Sequence, residues 1–359
     1  MSARRPSRRS RRRAGGFSLV ELMVAIVIGA VLLGGAISLF ITNRETYNVT
    51  SDLARVQESA RFAVDMMVSD LRMAGYFGCV DDVNRVTESA TVVAGADALW
   101  SLAGGAALEG VDNYAAADTF APSGSAVPAN PTDDAGAAVA AWSTVVGSDA
   151  VMLRYIRARL PAHQVTGSTG NTVTVNSAAD FAADQIIGVA DCGAAEIMQV
   201  DSIAGTTLTL DDALGRAYSA ANNPVAAPMV AVRYYVAANA ATGETALFRD
   251  VLTGNALRSQ RLFDGVENLQ FLYGVDTNGD RAPDAYLKAG EAGLQNAGDW
   301  SRVVSVRLAV LLRTLDAFGT AREYVLPPLL DQTHGNNNGY NDGFRRRVFT
   351  TTAAVRNLG

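Results

Sequence analysis

The sequence predicts an α+β fold in which one long N-terminal helix packs on a mainly antiparallel β-sheet head. Three observations predict it. Residues Leu22 to Asn43 carry no charge and are almost all apolar. No proline interrupts the chain from Phe17 to Gly75, and apolar residues recur there at helical spacing. Beyond Ser148, short alternating runs follow one another with turn residues between them.

Composition removes several function classes. The 359 residues, 49% hydrophobic and 18% charged, are enough for one large domain or two ordinary ones with a sizeable core. Formal charge is −6, but Arg4, Arg5, Arg8, Arg9, Arg11, Arg12 and Arg13 precede the first acid; the remainder sets 23 basic residues against 36 acidic ones, a formal −13. A body so acidic argues against nucleic acid as a partner, because phosphate binding needs a basic face. Lys288 is the only lysine and follows Leu287, so no Gly-Lys-Ser/Thr phosphate loop can be written. With His163 and His334 the only histidines and Cys79 and Cys192 the only cysteines, neither C-x-x-C nor H-E-x-x-H occurs. No G-x-S-x-G elbow is present either. The expectation is a non-enzyme without a resident cofactor.

The first element is a membrane segment. About 20 apolar residues match a hydrocarbon core about 30 Å thick at a rise of about 1.5 Å per residue. Arginines crowd one flank only, which places the N-terminus in the cytoplasm and sends the rest outward. The run is too long for a cleaved secretory signal, and no A-x-A-like site precedes Thr42–Asn43–Arg44, which also counts against a twin-arginine signal. A plain signal anchor stays open.

The string Gly15–Gly16–Phe17–Ser18–Leu19–Val20–Glu21–Leu22 resembles the processing site of type IV pilins and type II secretion pseudopilins. The resemblance implies a leader over residues 1–16, cut after Gly16 by a prepilin peptidase, and N-methylation of the new Phe17 amine. Residues 17–41 then form the membrane half of the helix. Glu21 is the one acid in it. A carboxylate at mid-bilayer costs about 2.5–3.5 kcal/mol, but four residues from the cut end it lies only about 6 Å deep, where the helix dipole favours it. Two roles stay open: snorkelling to the interface, or, as the resemblance implies, pairing in a filament with the Phe17 amine of a neighbouring subunit.

Residues 42–75 continue as an amphipathic half. Val49, Leu53, Val56, Ala60, Ala63, Met67 and Ala74 form one apolar stripe, while Glu58–Arg61 and Arg61–Asp65 sit at helix-pairing distances. Gly75 and Gly78 are the stop signals. Major pilins commonly carry a proline in the membrane half; here Gly34–Gly35 is the nearest soft point. The runs Arg61–Phe62–Ala63, Asp70–Leu71–Arg72–Met73–Ala74–Gly75–Tyr76–Phe77–Gly78–Cys79, Asp264–Gly265–Val266–Glu267–Asn268–Leu269–Gln270, Tyr273–Gly274–Val275–Asp276 and Arg345–Arg346–Arg347–Val348–Phe349–Thr350 resemble the PilW family of large minor pilins. The expected fold is therefore pilin-like.

Residues 76–359 form the head, exported and β-rich. Within it, residues 87–148 are rich in Ala, Gly, Ser and Asp and predict a variable insertion, partly loop. Strand-like runs are Ala150–Ile156, Thr172–Val175, Gln185–Val189, Glu196–Val200, Thr206–Leu210, Met229–Val236, Ala246–Arg249, Leu269–Tyr273, Val303–Arg313, Glu323–Leu326 and Arg347–Thr352. In an oxidising compartment Cys79 and Cys192 should pair, closing a loop that stabilises by about 4–5 kcal/mol in the chain-entropy model. Asp276, Asn278, Asp280 and Asp284 fall at positions 1, 3, 5 and 9 of a calcium-loop pattern, but Arg281 and Leu287 replace its glycine and its bidentate acid. An Asx turn between strands is the other reading. His334 to Gly343 predicts a polar surface loop, and Arg345–Arg347 a solvated strand edge or a meeting point for an acidic neighbour.

The resemblance thus implies a membrane-anchored minor pilin of the PilW family, processed by prepilin peptidase and built with other minor and major pilins into a type IV pilus, near its tip or in its initiation complex. A large pseudopilin of a type II secretion system is the first alternative, separated from it by lost twitching against lost secretion. A signal-anchored periplasmic binding protein or enzyme is the second, and it requires an uncut N-terminus.

Overall fold

The computed structural model describes residues 18–80, 83–89, 106–114, 118–120, 127–133, 138–139, 141–157, 163–253, 256–318, 321–324 and 340–355. The chain divides into two compact units, residues 1–51 and 52–359. Helix α1, Leu19–Met73, contributes to both.

In the first unit α1 runs unbroken through Gly34–Gly35, so two interior glycines in series do not interrupt it. Thr42, Thr46 and Thr50 donate their hydroxyls to the carbonyls of Ser38, Thr42 and Thr46, four residues back each time. Those bonds satisfy polar side chains within the helix itself, the arrangement needed where apolar surroundings give way to water.

In the second unit α1 buries Val56, Ala60, Ala63, Met67 and Leu71 against the head, with Ala74 just past its end; all but Leu71 belong to the stripe that the apolar spacing predicts. It stops where Gly75 turns to φ 76°, a left-handed cap that a Cβ would strain. The head's strands are β1 (Val86–Glu88), β2 (Leu108–Val111), β3 (Trp142–Thr144), β4 (Ala150–Ile156), β5 (His163–Thr169), β6 (Thr172–Val175), β7 (Ile186–Ala190), β8 (Ala195–Ala204), β9 (Thr207–Leu210), β10 (Val225–Asn239), β11 (Thr245–Thr253), β12 (Ala256–Asp264), β13 (Val266–Val275), β14 (Ala285–Leu287), β15 (Val303–Arg313), β16 (Arg322–Tyr324), β17 (Tyr340–Asp342) and β18 (Arg346–Ala354). The main path of the larger sheet runs β1-β8-β9-β6-β5-β10-β11-β12, and a smaller sheet runs β14-β13-β15-β18. Pairing is antiparallel throughout these sheets except between β1 and β8.

Strand β10 is the girder. Its first residues, Val225–Pro228, pair with β7, and Met229–Tyr234 pair with β4, while Val232–Ala238 pair with β11. It thereby joins two apolar cores. One gathers α1 with β4, β10, β13 and β15; the other is closed by Val165, Val173, Ile187, Met198, Leu208 and Tyr218 among β5–β9.

Within the stretch 87–148, expected to be only partly loop, β2 is buried along its whole length and pairs with β4. Glu109, wholly buried there, meets the equally buried Arg154 at 3.1 Å. A sequence poor in large apolar residues still yields core strand when its one carboxylate finds a buried cation. One expectation needs correcting: the Arg345–Arg347 segment is not a solvated edge throughout, since Arg346 is 4% exposed. Predicted strands also lengthen, β10 to 15 residues and β18 to nine, because cross-strand pairing continues past the point where alternation stops.

Candidate functional site

The described part of the N-terminal helix opens at Ser18, whose Oγ accepts the Glu21 N–H at 3.1 Å while its carbonyl accepts the Leu22 N–H. Ser18 is therefore the N-cap of α1 and Glu21 its third helical residue, the position where a carboxylate is favoured by the exposed amides and the dipole. The spacing Ser-x-x-Glu is half of a capping box, a signal legible in the sequence and passed over there. Gly16 and Phe17 lie outside the described residues. Large apolar side chains from Leu19 to Ile41 stand 51–75% exposed, on a helix long and apolar enough to cross a membrane. With Glu21 their only acid, this surface offers lipid or other helices a continuous greasy face and one charge.

At the other end of α1, Asp70 is 8% exposed. Its carboxylate accepts hydrogen bonds from Tyr155 (2.8 Å) and Tyr234 (2.6 Å) and from the Arg249 guanidinium (2.9 Å). Burial and the neighbouring carboxylate raise both phenols above the ordinary tyrosine range. The helix thus ends on a four-residue polar lock whose other members come from β4, β10 and β11. Only Asp70 belongs to a motif noted in the sequence, and nothing about its spacing marked it as buried.

One turn further, Cys79 and Cys192 form a disulfide, with Cα atoms 4.5 Å apart across 113 residues. It ties the segment leaving α1 to the β7–β8 turn. Beside it Asp191 accepts from the Gly193 and Ala194 N–H groups and pairs with Arg216 at 2.8 Å.

The smaller sheet holds a second lock. Arg346 donates to both oxygens of Glu267 (2.6 and 3.0 Å) and to both of Asp342 (2.7 Å each). Burial opposes its charge, but these two carboxylates outweigh burial and raise its pKa. Just before Glu267, Gly265 has φ 81°, and a Cβ there would stand 2.6 Å from the Arg313 carbonyl. The Asp-Gly-Val-Glu run is thus a tight β12–β13 turn that delivers Glu267 to Arg346.

The Asp276–Asp284 loop spends its carboxylates on itself. Asp276 accepts the N–H groups of Asn278, Gly279 and Arg281; Asp284 accepts the N–H and hydroxyl of Thr277 and the Asn278 amide. Partial burial works against Asp276, yet those backbone donors leave its carboxyl below the usual range, and the Thr277 bonds do the same for Asp284. Among the described residues no group of three or more His, Cys, Asp or Glu is disposed to hold a metal.

Two family profiles match the chain. Residues 11–37 match the prokaryotic N-terminal methylation motif, and residues 233–357 match type IV pilus-assembly protein W. Together these two matches support a type IV pilus minor pilin of the PilW family. The PilW match takes in β13, β15 and β18 with the Glu267–Arg346 lock, and the Arg249 end of the Asp70 lock. No curated protein matches. The Gp54 tailspike of Acinetobacter baumannii bacteriophage AP22, solved in complex with an A. baumannii capsular saccharide, is similar at 13% identity over 22% of this chain and 15% of its own, with a TM-score of 0.19. That likeness carries no argument about this chain. The matched family is a structural pilus-assembly family and implies contact with other pilins and the prepilin peptidase machinery, and the chain's apolar N-terminal helix suits a membrane anchor.

Proposed function

We propose that this protein is made with a 16-residue basic leader and inserted with its N-terminus in the cytoplasm. It is then cut after Gly16 by prepilin peptidase and N-methylated on Phe17. The mature chain waits in the inner membrane with its head in the periplasm and joins other minor and major pilins in the complex that starts the pilus or sits near its tip. Helices pack side by side through the Leu19–Ile41 surface, and Glu21 sets register by pairing with the Phe17 amine of a neighbour. The observation that carries this is the exposed apolar half of α1 with Glu21 as its sole carboxylate, three residues after the cap. In lipid or in a bundle an unpaired charge is costly enough to select one register over its alternatives.

Mass spectrometry of the native protein tests the processing. The expected species begins at N-methyl-Phe17; a chain still beginning at Met1 sinks the reading. Glu21→Ala is expected to be cut and inserted normally and to be lost from the pilus fraction. Normal incorporation of that variant removes the register role of Glu21.

A further inference from the structure

Strand β18 closes the smaller sheet on one side, and among the described residues no strand pairs with its outer edge. The register with β15 runs from Ser305↔Ala354 to Arg313↔Arg346. Just beyond its ends, Thr314 N–H donates to the Arg345 carbonyl and Val355 N–H to the Val304 carbonyl. Hydrogen-bonded and non-bonded pairs alternate along an antiparallel ladder. Arg347, Phe349, Thr351 and Ala353 therefore turn their backbone groups to β15, and Val348, Thr350, Thr352 and Ala354 turn theirs away. Those four N–H and four C=O groups meet no partner among the described residues, and Thr350, Thr352 and Ala354 are exposed.

Long open edges are templates for another strand, and proteins usually blunt them. The other edge of this sheet, β14, is three residues long and follows Pro283. At the edge strand β12 of the larger sheet, Thr132 lays its backbone N–H on the Ser259 hydroxyl. Strand β18 has nine residues, no proline and two β-branched or aromatic neighbours followed by three threonines.

We propose that the outer edge of β18 receives an extended acidic segment of a neighbouring, different pilin as a further strand. Backbone bonds to Val348, Thr350, Thr352 and Ala354 would supply affinity, as in other strand-addition interfaces. Charge chooses the partner. Arg347 is exposed on β18, and Arg307, exposed directly across from Thr352, is stacked on Tyr286 at 3.5 Å. A second copy of this chain would bring the same arginines against themselves, whereas an acidic strand meets them with opposite charge. The proposal rests on the reading of the chain as an assembling pilin.

The test uses the full-length protein in its own membrane, with cross-linking to other pilins as readout. Thr350→Pro removes an outward N–H and no bond to β15, a change edge strands tolerate. It should lower the adduct at least about tenfold, while Thr350→Ala, which keeps the N–H, should not. Arg347→Glu should lower it about fivefold with an unchanged melt. Hydrogen exchange on the wild type should show the Val348, Thr350, Thr352 and Ala354 amides fast in dispersed protein and at least about tenfold slower in the assembled fraction. Undiminished cross-linking by Thr350→Pro and Arg347→Glu overturns the proposal, as do unslowed amides or adducts holding only copies of this chain. Wild-type protein absent from every pilin assembly overturns the pilin reading and the edge with it; wild-type assembly with fast edge amides overturns the edge alone.

Discussion

The Asp70 carboxylate, on the last full turn of α1, accepts a 2.6 Å hydrogen bond from Tyr234, 164 residues along the chain. With Tyr155 and Arg249 it makes the end of the helix part of the head's polar interior rather than a rod resting on an apolar face. Removing one partner of such a group strands the others. Asp70→Ala should therefore cost about 3 kcal/mol, more than truncating any single alanine of the buried stripe, as measured by the urea midpoint of the purified protein.

The same lock predicts an alkaline transition. Tyr155 and Tyr234 have pKa values raised above the ordinary tyrosine range by burial first and by Asp70 second. A group whose folded pKa is raised contributes stability that is whole below its unfolded pKa, near 10, and lost as pH climbs toward the folded value. Urea midpoints should be level from pH 7 to 9 and fall above about pH 10. In Tyr155→Phe/Tyr234→Phe that fall should be shallower.

For the disulfide, closing a loop of 113 residues corresponds to about 4–5 kcal/mol in the chain-entropy model. Cys192→Ser should lower the unfolding free energy by that order, and a thiol assay on unreduced wild-type protein should find no free cysteine. Two thiols would refute the bond.

Glu267 and Arg346 form a pair 9% and 1% exposed at the side chain. Arg346→Lys keeps the charge but loses the planar fork that reaches Glu267 and Asp342 together. It should destabilise by about 2 kcal/mol. Glu267→Gln, leaving a buried guanidinium with one carboxylate fewer, should cost about 3 kcal/mol or more. Both are read from denaturant melts.

Calcium offers a contrast. Because Asp276 and Asp284 already accept donors from their own loop, calorimetry with millimolar calcium should give no saturable heat. Their lowered pKa values add stability above the ordinary carboxylate range that disappears as pH falls through the folded, lower values. The loop should open first in acid, seen as faster exchange of the Gly279 and Arg281 amides below about pH 4.

What the amino-acid order alone determined is one-dimensional. A run of uncharged residues, the Gly16–Phe17 junction, Glu21 and an apolar period of 3.6 announce the helix and its use, because lipid and helix geometry act on local sequence and need no partner. Most strand centres were legible for the same reason. Tertiary structure decided the rest. Asp70 and Arg346 look like surface charges in sequence, and only the approach of Tyr155, Tyr234 and Arg249 to one, and of Glu267 and Asp342 to the other, makes them buried locks. Strand β2 hides in an Ala/Gly-rich stretch, and its burial depends on β4 pairing and on Glu109 meeting Arg154. Which backbone groups of β18 turn away from β15 is a matter of hydrogen-bond parity set by that ladder. In each case the deciding energy is electrostatic or hydrogen-bonded between residues far apart in the chain, and such energies leave no periodic trace along it.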